Sequence, residues 1–284
     1  MARGGHELAP PMALTFWRWV VAVLVLLPFV ARKLRQELPL KPQARRSIYW
    51  ICVTMAAGTT FSVVAVNFTT AINATVINAT QPALTALAAF FLVRERLLPA
   101  QTLGVVLAFL GVIVMISQAS LGALLQMNIN IGDLVMLGAA ICWSLYSVEM
   151  HRSTHLPSSD VLVFLIACTG IALTFPLYII EASYFRSFQL TPVTLSAVSY
   201  LGIGSTVLAV YLWNAAIRSV GANRAAVFLN LIPVFGATFA ITFLGERVLA
   251  YHVIGGLLII IGIFFAVRRA HHRSVPPLAA EEKP

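Results

Sequence analysis

Nine long apolar segments, separated by short polar joints, constrain this chain more than any other feature of its sequence. Each is close to the roughly 20 residues that an α-helix needs to cross a hydrocarbon layer of about 30 Å. Because lipid offers no hydrogen-bond partners, such a segment can satisfy its backbone only as a helix. We therefore predict an all-α polytopic membrane protein. The segments are residues 12–31, 47–66, 72–93, 99–118, 131–150, 159–181, 192–216, 222–244 and 249–268.

Few charges and no catalytic pattern accompany these segments. Only 10% of the residues are charged, whereas soluble domains carry about 25%. Cys52, Cys142 and Cys168 lie in apolar runs without the spacing of a metal site or a disulfide framework. The sequence shows no zinc-protease motif, no phosphate-binding loop and no pair of carboxylates within a segment. We predict no enzyme activity, no metal and no cofactor.

The basic residues are distributed unevenly over the joints. With the carboxyl terminus in the cytoplasm, fifteen of the 19 Lys and Arg residues fall on that side, and Arg3, Arg186 and Arg247 fall on the other. Cytoplasmic loops of membrane proteins carry such an excess. The net charge of +9 is therefore a topology signal and does not indicate a nucleic-acid partner. We predict a multi-pass protein of the cell inner (plasma) membrane.

An internal repeat appears when the chain is shifted by 151 residues. The equivalent segments face opposite sides of the membrane, so the repeat is inverted, as in many transporters that work by alternating access. We place the first repeat at residues 1–120, the second at 121–270, and a disordered cytoplasmic tail at 271–284. Matching pairs are Ala65 with Ala216, Pro82 with Pro233, Gly104 with Gly255 and Gly111 with Gly262.

The two repeats contain unequal numbers of helices. The second has five predicted helices and the first has four. Two inverted five-helix bundles require ten helices with both termini on the same side. We therefore expect the full protein to have a further helix before Met1, which the first repeat lacks here.

These features resemble the EamA-type transporters of the drug/metabolite transporter superfamily. The resemblance covers roughly residues 10–270 and implies two inverted five-helix repeats around a central substrate path. On overall impression, the nearest branch is the aromatic and neutral amino acid exporters (YddG-type). One departure is Phe164, which stands where the first repeat has Arg18. The residues that carry the resemblance are Pro11 with Phe16–Trp19, Ala65–Pro82, Ala216–Pro233, Arg94–Arg96, Gly245–Arg247, and Gly132-Asp133 with Trp143.

The amides of the stretch INATVINATQP, residues 72–82, are the first candidates for a site. Asn78 and Gln81 lie three residues apart on one helix face, beside Pro82. The second repeat places Asn230 three residues before Pro233. An unsatisfied amide in hydrocarbon costs several kcal/mol, so these side chains must face protein or water. Two interpretations remain open: they line a central cavity, or they hydrogen-bond between helices. Pro82 and Pro233 are candidate helix hinges.

Several aromatic and polar residues within the segments are further candidates for the cavity wall. Arg18 lies inside the first segment, where it could bind a substrate carboxylate, reach the membrane surface or hold a neighbouring helix. Trp17 beside it could line the cavity or belong to the interfacial aromatic belt. Buried Trp and Tyr usually find a partner for their polar atom. The other candidates are Trp143, Tyr146, Tyr211, Trp213 and Asn214.

These residue types favour a transporter of small neutral or zwitterionic metabolites, and the resemblance implies that these include amino acids, among them aromatic ones. The segments offer no obvious titratable group for proton coupling, which favours facilitated transport and export down a gradient. The alternatives are a carrier of nucleobases, nucleotide sugars or cationic drugs, and a membrane scaffold that transports nothing. The expected partners are a small-molecule substrate and the lipid bilayer. The sequence leaves monomer and homodimer open.

Overall fold

The computed structural model describes residues 10–38, 42–118, 122, 130–184, 188–189, 191–244 and 249–267. This part of the chain is helical and contains no strand. The tail at 271–284 and the Gly245–Arg247 motif lie outside it. The elements are α1 (Pro11–Glu37), α2 (Pro42–Ala65), α3 (Ala71–Ala79), α4 (Gln81–Val93), α5 (Pro99–Ile116), α6 (Ile131–Arg152), α7 (Ser159–Tyr184), α8 (Pro192–Tyr200), a π-helix (Leu201–Leu208), α9 (Ala209–Val220), α10 (Ala222–Val227), a 3-10 turn (Phe228–Leu231), α11 (Ile232–Leu244) and α12 (Ala250–Val267).

Within the described residues, nine helical spans are long and apolar enough to cross a membrane, which confirms the predicted segments. The largest difference is at the end of α1, which continues through 32–37 instead of stopping near residue 31. These residues are RKLRQE, mostly good helix formers, and Pro39 in the sequence disfavours further helix. The charged end of α1 therefore extends beyond the apolar segment as helix.

Two of the nine spans are interrupted at equivalent positions. The first is divided between α3 and α4 at Thr80, two residues before Pro82. The second is divided by the 3-10 turn that ends at Leu231, two residues before Pro233. Proline cannot donate a backbone hydrogen bond to the carbonyl four residues earlier. Both repeats thus weaken the same span at the same place.

Glycines allow α5 and α12 to pack backbone against backbone. A Cβ atom on Gly104 would lie 2.5 Å from the carbonyl oxygen of Gly262, and one on Gly111 would lie 2.6 Å from that of Gly255. Because the earlier residue of α5 meets the later residue of α12, the helices are antiparallel. This reciprocal contact is the one that an inverted repeat generates when its equivalent helices meet at the symmetry axis.

Helices α1 and α7 are joined at both ends through carboxylates. At one end, the Glu181 carboxylate accepts hydrogen bonds from the backbone N–H groups of Met12 (3.2 Å) and Ala13 (2.8 Å). At the other end, Glu37 accepts from the backbone N–H of Ser158 (2.7 Å). Each helix therefore caps the positive amino end of its neighbour. An ion pair between Lys33 and Asp160 strengthens the second junction.

A dense apolar core fills one half of the bundle. It includes the later part of α1, the early parts of α2 and α7, and the end of α6, with Val30, Ile51, Met150 and Leu162 at most 1% exposed. Such packing leaves no internal space for a solute among these side chains. Two adjoining cavities lie towards the opposite end of the same helices.

Candidate functional site

A cavity of about 530 Å³ lies between the two repeats, beside both helix interruptions. This volume is within the usual range for small-molecule sites, about 300–1,000 Å³. Polar and apolar side chains both line this cavity. Its walls are formed by Ser62, Thr75, Asn78, Ala79, Gln81, Val112, Trp143, Ser205, Ala209, Val210, Trp213, Leu229, Asn230, Ile232 and Pro233.

The polar groups of this wall are three amides (Asn78, Gln81 and Asn230) and three hydroxyls (Ser62, Thr75 and Ser205). The amide-bearing helices of both repeats reach the cavity. Asn78 is exposed at its rim, and Gln81 lies deeper at 6% exposure. Asn230 is 2% exposed, and neither its Oδ1 nor its Nδ2 has a partner within the described part of the chain. The cavity therefore contains hydrogen-bonding capacity that the protein leaves unused.

Two tryptophans supply the aromatic part of the wall. Trp143 projects from α6 against α2, where a Cβ atom on Gly58 would lie 3.0 Å from its Cδ1. Trp213 projects from α9, and its buried Nε1 has no partner among the described residues. A wall of this kind can contact an apolar or aromatic group and still offer a hydrogen-bond donor.

Three of the predicted wall residues, Tyr146, Asn214 and Tyr211, lie outside the described walls of both cavities. Tyr146 is fully buried between α6 and α9, where its hydroxyl donates to the Oδ1 of Asn214, so both side chains serve the contact between these helices. Tyr211 is 42% exposed on the outer face of α9. Because it stands two residues before Trp213, the helix turns it away from the cavity.

Trp17 is also absent from the wall. Its ring stacks on that of Phe188 at 6.0 Å between centroids and meets Tyr178 edge-on at 6.4 Å. Phe16 adjoins the same group by stacking on Tyr178 at 4.8 Å. Trp17 therefore belongs to an aromatic cluster between the beginning of α1 and the later part of α7, and it is not part of the described wall of either cavity.

Arg18 lies at a second cavity, of about 240 Å³, that adjoins the first. The two cavities share the wall residues Ser62, Trp143, Ser205 and Val210. The Arg18 guanidinium lies over the ring of Trp19, 4.8 Å from its centroid. The smaller cavity, called the annex below, is a side chamber of the larger one.

Ser205 was not among the candidates, although it lines both cavities. It belongs to the π-helix that lies between α8 and α9. π-Helical turns are frequent at functional sites. The small residues of the stretch LGIGST, residues 201–206, are the only sequence signal for this element. They indicate close packing, and Gly202 does pack against Val21, where an added Cβ would lie 2.7 Å from its Cγ1.

The first asparagine of the amide-rich stretch has a structural role. The Asn73 side-chain amide donates to both carboxylate oxygens of Asp133, at 3.1 and 2.9 Å. Asp133 also accepts from the hydroxyl of Thr69 and from the backbone N–H of Asn130 (2.9 Å). These bonds fasten the beginning of α3 to the beginning of α6. Asn73 therefore holds the helix that carries Asn78 in place.

Comparison with known proteins identifies the family. Residues 1–117 and 130–268 each match the EamA-like transporter family. The chain belongs to the EamA-like transporter family. Its two matched parts each fall within one of the two repeats proposed from the sequence. The protein is accordingly a multi-pass membrane transporter.

Individual relatives are similar over much of their length. The chain is 30% identical over 216 residues to the uncharacterized transporter YyaM of Bacillus subtilis, a match that spans 72% of this chain and 66% of that protein. It is 24% identical to a probable amino-acid metabolite efflux pump of Escherichia coli, over 93% of this chain and 87% of the other. A crystal structure with 21% identity superposes with a TM-score of 0.72 over 91% of this chain and 87% of that one, which shows the same fold.

Proposed function

We propose that this transporter exports small neutral or zwitterionic metabolites, among them amino acids with apolar or aromatic side chains. The observation that carries the proposal is the cavity wall, in which the unpartnered amide of Asn230 lies with Gln81 and two tryptophans. Amides can bind the ammonium and carboxylate groups of an amino acid, and tryptophan can contact its side chain. A relative named as a probable amino-acid metabolite efflux pump supports the same substrate class.

The two interrupted spans supply a means of moving the substrate. Both flank the cavity, and both are weakened two residues before a proline. Bending at Thr80 and Leu231 can open one end of the cavity as the other closes, which is alternating access in an inverted repeat. With the carboxyl terminus in the cytoplasm, the apolar core closes the cytoplasmic end, and the described state is open towards the outside of the inner membrane.

The test is counterflow in proteoliposomes. Vesicles loaded with unlabelled L-phenylalanine, L-leucine or L-threonine should accumulate the labelled amino acid faster than protein-free vesicles. The variant Gln81→Leu, which removes one cavity amide, should reduce this flux. Flux of uracil, a nucleotide sugar or a cationic dye in place of the amino acids would assign another solute class. A chain that moves none of these solutes would instead support a non-transporting scaffold.

A further inference from the structure

The guanidinium of Arg18 has no anionic partner in the described structure. Arg18 lies seven residues after the first residue of α1, roughly 10 Å along the helix at 1.5 Å per residue. It makes no ion pair or hydrogen bond with a described residue, and its Nε is buried without a partner. A charge within the membrane is costly and normally has a partner or faces a cavity. Among the described residues, the face of the Trp19 ring is what compensates this charge.

The surroundings of this cation also lack negative charge. The residues that line the annex and the larger cavity include no Asp and no Glu. The annex wall instead holds the hydroxyl-bearing residues Thr59, Ser62, Ser205 and Thr206. As far as the described residues show, the cavity system therefore has one positive charge, that of Arg18, with hydroxyl groups around it.

Close packing fixes the annex in position. A Cβ atom on Gly202 would lie 3.0 Å from the carbonyl oxygen of Arg18, so the π-helix can approach α1 only because residue 202 is glycine. The same π-helix carries Ser205 and Thr206 to the annex wall. Ser205 makes no hydrogen bond with a described residue and lies where the annex joins the larger cavity. The site thus offers a fixed cation and a free hydroxyl at one junction.

We propose that Arg18 binds the carboxylate of the transported solute in the annex, while the rest of the solute occupies the larger cavity. The inference rests on the proposed function and narrows its substrate class to carboxylate-bearing solutes. Arginine recognises a carboxylate through two parallel charge-assisted hydrogen bonds, which a neutral amide cannot replace. Arg18 is in this account the residue that distinguishes amino acids from amines and amides of the same size.

The test measures binding to the purified full chain in detergent by isothermal titration calorimetry. The probes are L-phenylalanine, L-phenylalaninamide and phenethylamine, which share one aromatic group. The wild type should bind the acid about ten- to a hundredfold more tightly than the amide, since hydrogen bonds to charged groups contribute about 1.5–3 kcal/mol. Arg18→Gln should abolish this preference, and Arg18→Lys should restore part of it. Arg218→Gln, which changes an exposed arginine outside both cavities, should leave it intact.

Several results would overturn the inference. Equal affinity of the wild type for the acid and the amide would do so without any variant, even if Arg18→Gln fails to fold. An Arg18→Gln chain that keeps the preference and loses only thermal stability would show a structural role. If chloride bound in the annex and kept L-phenylalanine out of it, the Arg18 guanidinium would be a site for an inorganic anion instead. A chain that binds the acid through Arg18 but shows no counterflow would overturn the proposed function and leave this inference standing.

Discussion

Asn230 illustrates how a single residue can trade stability for binding. Its side chain is 2% exposed and both amide atoms lack a partner in the described structure. A buried polar group without a hydrogen bond costs about 1–3 kcal/mol. The protein keeps this cost at the cavity wall, where a solute can supply the missing partners. The Asn230 amide therefore lowers the stability of the empty transporter, and a bound solute can offset this cost by hydrogen-bonding to it.

Replacing this amide by an apolar side chain separates the two effects. We expect Asn230→Leu to preserve or raise the melting temperature of the empty protein, because an unpaired amide is removed, and to reduce amino acid counterflow. Asn223→Leu is the matched control, since Asn223 is also buried and unpartnered but does not line the cavity. It should keep its flux. Equal flux in wild type and Asn230→Leu would contradict the role of Asn230.

Residue spacing predicted which side chains lie inside the membrane better than it predicted what they face. An amide in hydrocarbon needs a polar neighbour, so the sequence placed Asn78, Gln81 and Asn230 either at a cavity or at a contact between helices. Tyr146 could not be assigned, because a buried tyrosine is satisfied equally by a solute or by Asn214. Distinguishing these outcomes requires the position of the neighbouring helix, which no single segment specifies.

At the scale of elements, the α5–α12 contact is the most extensive contact between two helices of the described bundle. We expect Gly111→Ala to lower the free energy of unfolding by about 1–3 kcal/mol, as overpacking does. The added Cβ would lie 2.6 Å from the Gly255 carbonyl oxygen and 2.9 Å from the Ile259 nitrogen, and backbone atoms cannot easily yield. Denaturation in micelles measures the change. Gly256→Ala is the control, because nothing lies within 4 Å of its added Cβ, and an equal loss there would refute the argument.

The interrupted spans lead to a kinetic prediction. Pro82→Ala restores a backbone donor for the carbonyl of Asn78 and should make α3 and α4 more nearly continuous. If bending at Thr80 accompanies transport, the maximal flux should fall while the affinity for L-phenylalanine changes little. Pro176→Ala tests the generality of the effect, since Pro176 lies within the uninterrupted helix α7 and should be tolerated. Similar flux in Pro82→Ala and wild type would exclude a hinge at this position.

The number and approximate limits of the spans followed from the sequence, because a bilayer fixes the length of an apolar helix. The π-helix did not, since its residues 201–208 are as apolar as an ordinary helical turn. Its position depends on the close approach of Gly202 to Val21 and the Arg18 carbonyl. This contact joins residues from different repeats, and the spacing of apolar residues along the sequence does not indicate it.

For the whole molecule, the charges of the cavity system determine what energy source can drive transport. Neither cavity has Asp, Glu or His in its wall, so the described residues offer no group there that gains or loses a proton near neutral pH. Free phenylalanine is also predominantly zwitterionic near neutral pH, so its transport need not carry a net charge. We therefore expect the initial rate of phenylalanine flux into proteoliposomes to be unchanged by an imposed gradient of about one pH unit. The same vesicles treated with an ionophore that collapses the gradient provide the control. A severalfold stimulation that the ionophore abolishes would show proton coupling, and it would require a titratable group beyond the described walls of the two cavities.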